Sequence, residues 1–284
     1  MSDLTVVLIN KNSGKYIKQT CLSVLSQNFE NYRVFVLDSG STDNSIEKIK
    51  SLKNEKIEIF NLNKNINHHE AYLHGIKNVK TKYITFTTST DGYIDNEWFS
   101  TAISELEADQ KLSFVYANSL QRKNNERLGN INQEFYLNCK MPSHENFLPF
   151  YLATNYHINE LNCIWSTKVI NNLVDTPADA LHSFDSQNLN FDLFETLEFL
   201  AIKKGFLGKF INTIANYGRE HEKSLTEKFS NMDNIVRIRK KKFADQRKFI
   251  FKHFKNMTFK DRNIKEISYI NSSSYINFYL SYIF

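Results

Sequence analysis

The stretch "VFVLDSGSTDNS", residues Val34 to Ser45, decides how this chain is read. An apolar strand ends in an acid, Asp38; small polar residues follow, and Ser, Thr and Asp then offer caps for a helix. A continuous apolar run is what a strand covered on both faces needs. A second stretch, "YITFTTSTDGYID" (Tyr83 to Asp95), repeats the order strand, polar loop, helix. Two such units predict an α/β sheet, and in an open α/β sheet ligands bind beyond the carboxyl ends of the strands.

Working outward, the first ~110 residues alternate strand-like and helix-like patterns. "TVVLI", "YRVFVL", "KIEIFNL", "KYITFTT" and "LSFVYANSL" read as strands. "YIKQTCLSVLS" sets Ile17, Cys21, Leu22 and Leu25 at helical spacing; "STDNSIEKIKSL", "HHEAYLHGIKNV" and "NEWFSTAISELEA" are further helices. From about Asn124 to Thr167 the pattern loosens around Met141, Pro142 and Pro149, which suggests connecting and acceptor-side structure. "FDLFETLEFLAIKKG" reads as an amphipathic helix stopped at Gly205, and "FLGKFINTIANYG" as a strand or extended segment.

Composition is that of a soluble globular protein, 41% hydrophobic and 24% charged over 284 residues. Eight Gly and three Pro are too few for a disordered chain or a loop-rich disulfide scaffold. Cys21, Cys139 and Cys163, odd in number and without C-x-x-C spacing, read as reduced thiols of a cytosolic protein. The N-terminus lacks the pattern of a signal peptide, and there is no apolar run of the ~18 residues that would suggest a membrane span. The net charge of +5 is concentrated in Arg237 to Asn256, where Val236, Phe243, Ile250 and Phe254 share one helical face. A basic amphipathic helix followed by an aromatic end suits an anionic membrane surface. No nucleic-acid recognition motif accompanies the basic run, so nucleic acid is not the expected partner. The expected organisation is an α/β domain over residues 1–230 and a helical basic extension over 231–284, cytoplasmic and peripheral on the inner face of a membrane.

Four loops fall at strand ends: Asn10–Ser13, Asp38–Asp43, the loop after Leu62, and Thr88–Gly92. At a strand mouth Asp38 can accept hydrogen bonds from a base N–H or a ribose hydroxyl. His68, His69 and Glu70 are adjacent on a helix, so their side chains diverge and do not chelate together.

The opening "VVLINKNSGKYIKQTCLSVLSQNFENYRVFVLDSGSTDNSIEKI" resembles glycosyltransferase family 2 through Asn12, "SVLSQ", Asp38 and "GSTDNS". "NKNINHHEAYLHGIKN" and "KYITF" extend the resemblance, and "YGREHEKSLT" (Tyr217 to Thr226) is similar to the family's later "YRxHxxSLS" segment. It implies a GT-A, Rossmann-like mixed sheet flanked by helices. The implied reaction is an inverting transfer from a nucleotide-diphosphate sugar, with a UDP-sugar favoured. The acceptor would be a glycan or a lipid-linked molecule, in surface polysaccharide or lipooligosaccharide assembly. By the same resemblance Asn10, Asn12, Asp38, Ser39, Tyr72, Thr88 and Thr90 form the nucleotide side of the pocket, and Arg219 and His221 face the diphosphate. Asp192 or Glu195 is the base, with Asp192 favoured because it lies nearer the helix start.

Three positions depart from the family pattern. Ser39 stands where a second acid is usual, Tyr72 where Arg is frequent, and "TSTD" (Thr88 to Asp91) where the family has "DSDD". The expected cofactor is therefore a divalent metal, Mn²⁺ or Mg²⁺, held weakly or only with nucleotide by Asp91 and His221; an enzyme without metal stays open. The departures also leave open a catalytically inactive domain that binds a glycan or a partner transferase. Asp38→Ala is expected to abolish nucleotide binding and leave the thermal midpoint nearly unchanged.

Overall fold

The computed structural model describes residues 3–62, 66, 68–123, 127–131, 160–174, 197, 201 and 206–220. The chain divides into two compact units, Met1–Cys139 with Ile158–Arg219, and Lys140–His157 with Glu220–Phe284. The fold below is that of the first.

Nine strands form one sheet among the described residues. They are β1 (Leu4–Asn10), β2 (Tyr32–Asp38), β3 (Ile57–Asn61), β4 (Tyr83–Thr88), β5 (Gly92–Tyr93), β6 (Leu112–Lys123), β7 (Arg127–Ile131), β8 (Cys163–Ser166) and β9 (Leu207–Glu220). Their order is β3-β2-β1-β4-β8-β6-β9-β5, with β7 paired to β6. The helices are α1 (Ile17–Leu25), α2 (Ser45–Lys50), α3 (His68–Asn78), α4 (Trp98–Ala108) and α5 (Thr167–Val174). Strands β3, β2, β1 and β4 run parallel, and β8 pairs antiparallel with both β4 and β6. The sheet is therefore mixed, as expected.

The apolar runs of β1 and β2 are buried on both faces. On one, Val6, Leu8, Val34 and Val36 join Ile17, Cys21 and Val24 of α1 and Trp98, Phe99, Ala102 and Ile103 of α4 in one core cluster. Each fully buried side chain of this kind contributes roughly 1.5–3 kcal/mol relative to exposure. On the other face α3 comes close to the sheet at Gly75, where an added Cβ would lie 2.6 Å from Val7 Cγ1 and 3.0 Å from Leu37 Cδ1. Tyr72 of α3 is buried and meets Phe86 of β4 edge to face at 5.5 Å.

The structure departs from the sequence reading in three places. Helix α1 buries Ile17, Thr20, Cys21 and Val24, while Leu22 is 49% exposed; the buried face is turned one position from the expected one because a polar residue, Thr20, faces inward. Within the stretch expected to be irregular, Arg127–Ile131 forms β7 beside β6, and "CIWS" forms β8, an interior strand between β4 and β6. Helix α2 has Asn44 at its cap without a side-chain bond; Asp43, one residue earlier, accepts from the amide and hydroxyl of Ser45 instead. The segment expected as a helix before Gly205 is described only at Leu197 and Ala201, both helical and buried. The basic extension, Asp192, Glu195, His221 and Cys139 lie outside the described residues. Cys21 and Cys163 are buried thiols, and burial pushes the Cys21 thiol up to about 12. No described helix is long and apolar enough to cross a membrane.

Candidate functional site

Parallel register brings the first two loops together. Asn10 ends β1 directly beside Asp38, which ends β2. The Asn10 amide donates to Asp38 Oδ1 at 2.7 Å and to the hydroxyls of Ser41 and Ser45 at 3.1 Å each. Asp38 also accepts from the Ser41 amide at 2.9 Å and the Ser41 hydroxyl at 2.5 Å. The tight turn between them needs a positive φ, which Gly40 supplies at 77°. Asn12 adopts φ 51°, a conformation Asn tolerates because its short amide bonds nearby backbone. From there its Oδ1 accepts from the Thr42 amide at 2.7 Å, and its own amide donates to Ser41 Oγ at 2.9 Å. Farther out, Asp43 accepts from the Gly14 amide at 2.7 Å, and Lys48 Nζ donates to the Gly14 carbonyl at 2.6 Å. The pocket floor is thus two loops laced by side-chain hydrogen bonds. Burial works against the charge on Asp43, but the Ser45 hydroxyl and the amides of Gly14 and Ser45 outweigh it and hold its carboxyl below the ordinary value.

The loop after β4 is tied to the same floor. Ser89 donates its amide to the Ile9 carbonyl at 3.0 Å and its hydroxyl to Ser13 Oγ at 2.6 Å. From α1, the Thr20 hydroxyl reaches the carbonyls of Ser89 at 3.1 Å and Asp91 at 2.5 Å. Gln27, at the end of "SVLSQ", donates to the Asp95 carbonyl at 2.7 Å and accepts from the Phe99 amide at 3.0 Å. That amide belongs to the first turn of α4, where helix donors lack an internal partner. Gln27 therefore fixes the exit of the same loop.

Asp91 faces inward. Its Oδ2 accepts from the Thr88 hydroxyl at 2.5 Å and its Oδ1 from the Arg219 amide of β9 at 2.7 Å. Burial raises its carboxyl above the ordinary value, opposed by the Thr88 hydroxyl, the Arg219 amide and charge, and Thr90. Thr88 and Thr90 hydroxyls are 3.1 Å apart. The Arg219 guanidinium donates to the Thr90 carbonyl at 2.7 Å, Gln19 Oε1 at 2.9 Å and Tyr217 Oη at 3.2 Å, and lies 4.7 Å from the Tyr16 ring centre.

Of the residues the sequence singles out, Asn10, Asn12, Asp38, Ser39, Thr88, Thr90, Asp91 and Arg219 gather on the loops beyond the ends of β1, β2 and β4 and on the adjoining end of β9. Tyr72 does not join them, since its ring packs in the core under β4. Sequence reasoning missed Gln19 and Thr20 of α1, while Ser13, Ser41 and Asp43 fall in the strand-end loops it marks but without their bonds. Ser41 and Asp43 lie inside the quoted "GSTDNS"; their role depends on pairing across to Asn10 and Gly14, which the register alone reveals.

An α/β sheet with its polar loops collected beyond the carboxyl ends of adjacent parallel strands is the Rossmann-like arrangement in which open α/β folds bind their ligands. The chain matches Glycosyl transferase family 2 over residues 5–168, more than half of its length, and belongs to that family. A glycosyltransferase of Haemophilus influenzae described as uncharacterised is 29% identical over 119 residues, 41% of this chain and 44% of that protein. The poly-beta-1,6-N-acetyl-D-glucosamine synthase of Staphylococcus aureus is 27% identical over 132 residues, 46% of this chain and 32% of that protein. The chain thus spans less than half the length of these curated relatives. Among solved structures, S. aureus TarS 1-349 in complex with UDP-GlcNAc aligns with TM-score 0.57 at 16% identity, covering 79% of this chain and 60% of that one. The mannosyltransferase PcManGT from Pyrobaculum calidifontis, in complex with GDP-Man and Mn²⁺, aligns with TM-score 0.56 at 12% identity, covering 78% of this chain and 58% of that one. The fold is GT-A.

The described residues around Asp91 do not by themselves make a divalent-ion site. Mg²⁺ and Mn²⁺ favour several oxygen ligands with carboxylate charge among them. Among the described residues one carboxylate is present there, each of its oxygens accepts a hydrogen bond, and its neighbours are neutral hydroxyls and the Arg219 guanidinium. Among the described residues no three His, Cys, Asp or Glu side chains come together as a metal site.

Proposed function

We propose that this chain transfers a sugar, with inversion, from a nucleotide-diphosphate sugar to a glycan or lipid-linked acceptor in surface polysaccharide or lipooligosaccharide assembly. The observation that carries the reading is the laced floor of Asn10, Asp38, Ser41 and Ser45 at the mouths of two parallel strands. Membership of the family and the sugar nucleotides bound by TarS and PcManGT support it. A UDP-sugar is the favoured donor, as UDP-GlcNAc is in the TarS complex.

In this proposal the base and ribose sit over Asn12, Asp38 and Ser39, and the diphosphate points toward the loop after β4 and the end of β9. A carboxylate, Asp192 in preference to Glu195, takes the proton of the acceptor hydroxyl as its oxygen attacks the anomeric carbon. The bond from that carbon to the diphosphate oxygen breaks, and the nucleoside diphosphate leaves with the electron pair. His221, two residues beyond Arg219 in the sequence, would supply a donor for the charge that develops on the diphosphate. The metal expected at Asp91 and His221 is left out of the reaction, since Asp91 is the one carboxylate among the described residues of that loop and the Arg219 guanidinium is bonded beside it. The basic extension would hold the protein on an anionic inner membrane surface, near lipid-linked acceptors.

The inward-facing Thr88, Thr90 and Asp91 also favour a second reading, a domain that binds a glycan or a partner transferase without catalysis. A panel of nucleotide sugars, assayed for hydrolysis and for transfer to glycan acceptors with and without Mn²⁺, separates the two. Turnover of one donor supports the transferase. Binding of a donor without any turnover supports the second reading.

A further inference from the structure

The loop after β4 is closed on itself, and the way it is closed bears on how a diphosphate would be held. The Thr88 hydroxyl gives its one proton to Asp91 Oδ2. The contact between Thr88 and Thr90 must then use the proton of Thr90, because a hydroxyl carries a single donor. Both hydroxyl protons therefore run inward, from Thr90 to Thr88 to Asp91. The other carboxylate oxygen is taken by the Arg219 amide, and the Asp91 carbonyl by the Thr20 hydroxyl. A permanent cation is already in place: the Arg219 guanidinium is bonded to the Thr90 carbonyl and lies against Tyr16. A divalent ion seated on Asp91 would have to share a buried carboxylate with two hydrogen-bond donors and sit beside that guanidinium. Among the described residues its other protein ligands would be neutral hydroxyls, which bind hard cations poorly.

We propose that the donor site is metal-independent, with the loop Thr88–Asp91 latched to β9 through Asp91 and Arg219 in place of a divalent-ion site. The location of the diphosphate rests on the nucleotide-sugar reading above; the claim about the ion does not. Asp91 then works as a positioning residue. It fixes the loop to the strand that leads into Glu220 and His221, and the charge of Arg219 stays in the structure whether or not nucleotide is present.

The test uses the full chain and follows the electron paramagnetic resonance signal of free Mn²⁺. Protein alone is expected to leave the signal unchanged, and protein with UDP to leave it as UDP alone does. Uptake of one Mn²⁺ per chain by the wild type, lost in Asp91→Asn, would overturn the proposal. The double variant Thr88→Asp/Thr90→Asp is expected to take Mn²⁺ up, since it restores two charged ligands. A folded double variant that takes up none would contradict the argument that charge at these positions is what the site lacks. UDP and GDP are also titrated calorimetrically in EDTA and in Mn²⁺. Equal dissociation constants, within about twofold, are expected, and binding about tenfold tighter in Mn²⁺ would refute metal independence. If neither nucleotide binds, the donor reading fails, while Mn²⁺ uptake by the wild type alone, lost in Asp91→Asn, would still overturn this claim, and uptake by the double variant only would uphold it.

Discussion

Replacing Asp38 by Ala removes the acceptor at the centre of the pocket floor. Three donors point at this buried carboxylate: the Asn10 amide, the Ser41 amide and the Ser41 hydroxyl. Hydrogen bonds to charged groups are worth about 1.5–3 kcal/mol each, so three could sum to well over 5 kcal/mol. That sum is too large here. The Asn10 amide keeps the hydroxyls of Ser41 and Ser45, and half-buried Ser41 can turn to water. The net loss is about 3 kcal/mol, which at roughly 2–4 °C per kcal/mol for a domain of this size lowers the thermal midpoint by about 6–12 °C. This revises the expectation from sequence, which treats Asp38 as a ligand contact and leaves the midpoint nearly unchanged. Differential scanning calorimetry of wild type, Asp38→Ala and Asp38→Asn reads the effect directly. Asp38→Asn keeps an acceptor and should fall between the other two. A midpoint for Asp38→Ala within about 1 °C of wild type would refute the network as a source of stability, since that shift is worth only a few tenths of a kcal/mol.

Other perturbations report on the remaining contacts. Thr20→Val keeps shape but leaves the Ser89 and Asp91 carbonyls without their donor, and should cost about 1–3 kcal/mol in chemical denaturation while weakening nucleotide binding. Unchanged stability and affinity would remove α1 from the support of the site. The depressed Asp43 carboxyl contributes stability that is present above the ordinary Asp range and is lost as pH falls through its lowered value. The midpoint of Asp43→Asn should therefore depend less steeply on pH below about 4 than that of wild type; identical slopes would contradict the lacing of Asp43 to Gly14. The basic extension predicts sedimentation with anionic liposomes that weakens as salt rises, because surface charge is screened over ~8 Å at physiological ionic strength. Truncation after Asp233 should release the protein, and a full-length chain that never sediments would remove the membrane role.

The parallel half of the fold is legible because its physics is local. Three of the four parallel strands, β1, β2 and β4, are buried apolar runs, a helix follows each of the four (after the short β5 in the case of β4), and "VFVLDSGSTDNS" marks one junction plainly. Strand β8 escapes because an interior strand of four residues, "CIWS", has no alternation and sits in a stretch of loop-like composition. Helical spacing locates α1 but misses its inward side, because it weighs apolar residues and gives no weight to Thr20, whose burial is compensated by two carbonyls. Tyr72 takes a ligand-facing place only through the family resemblance, yet its ring is core packing against Phe86. For the site, sequence offers the strand-end residues Asn10, Asp38 and Asp91. It cannot say which atoms they bond, and the inward turn of Asp91 depends on β9, which arrives more than a hundred residues later.

The central claim is that a nucleotide-diphosphate sugar is held over the carboxyl ends of β1, β2 and β4. A crystal structure of the full chain grown with UDP tests it most directly, and GDP serves as the second nucleotide. The account predicts the base and ribose against Asn12, Asp38 and Ser39, with the phosphates directed toward the loop Thr88–Asp91 and no metal density between them. Nucleotide bound elsewhere on the chain, or no nucleotide in crystals soaked to saturation with either compound, would contradict it.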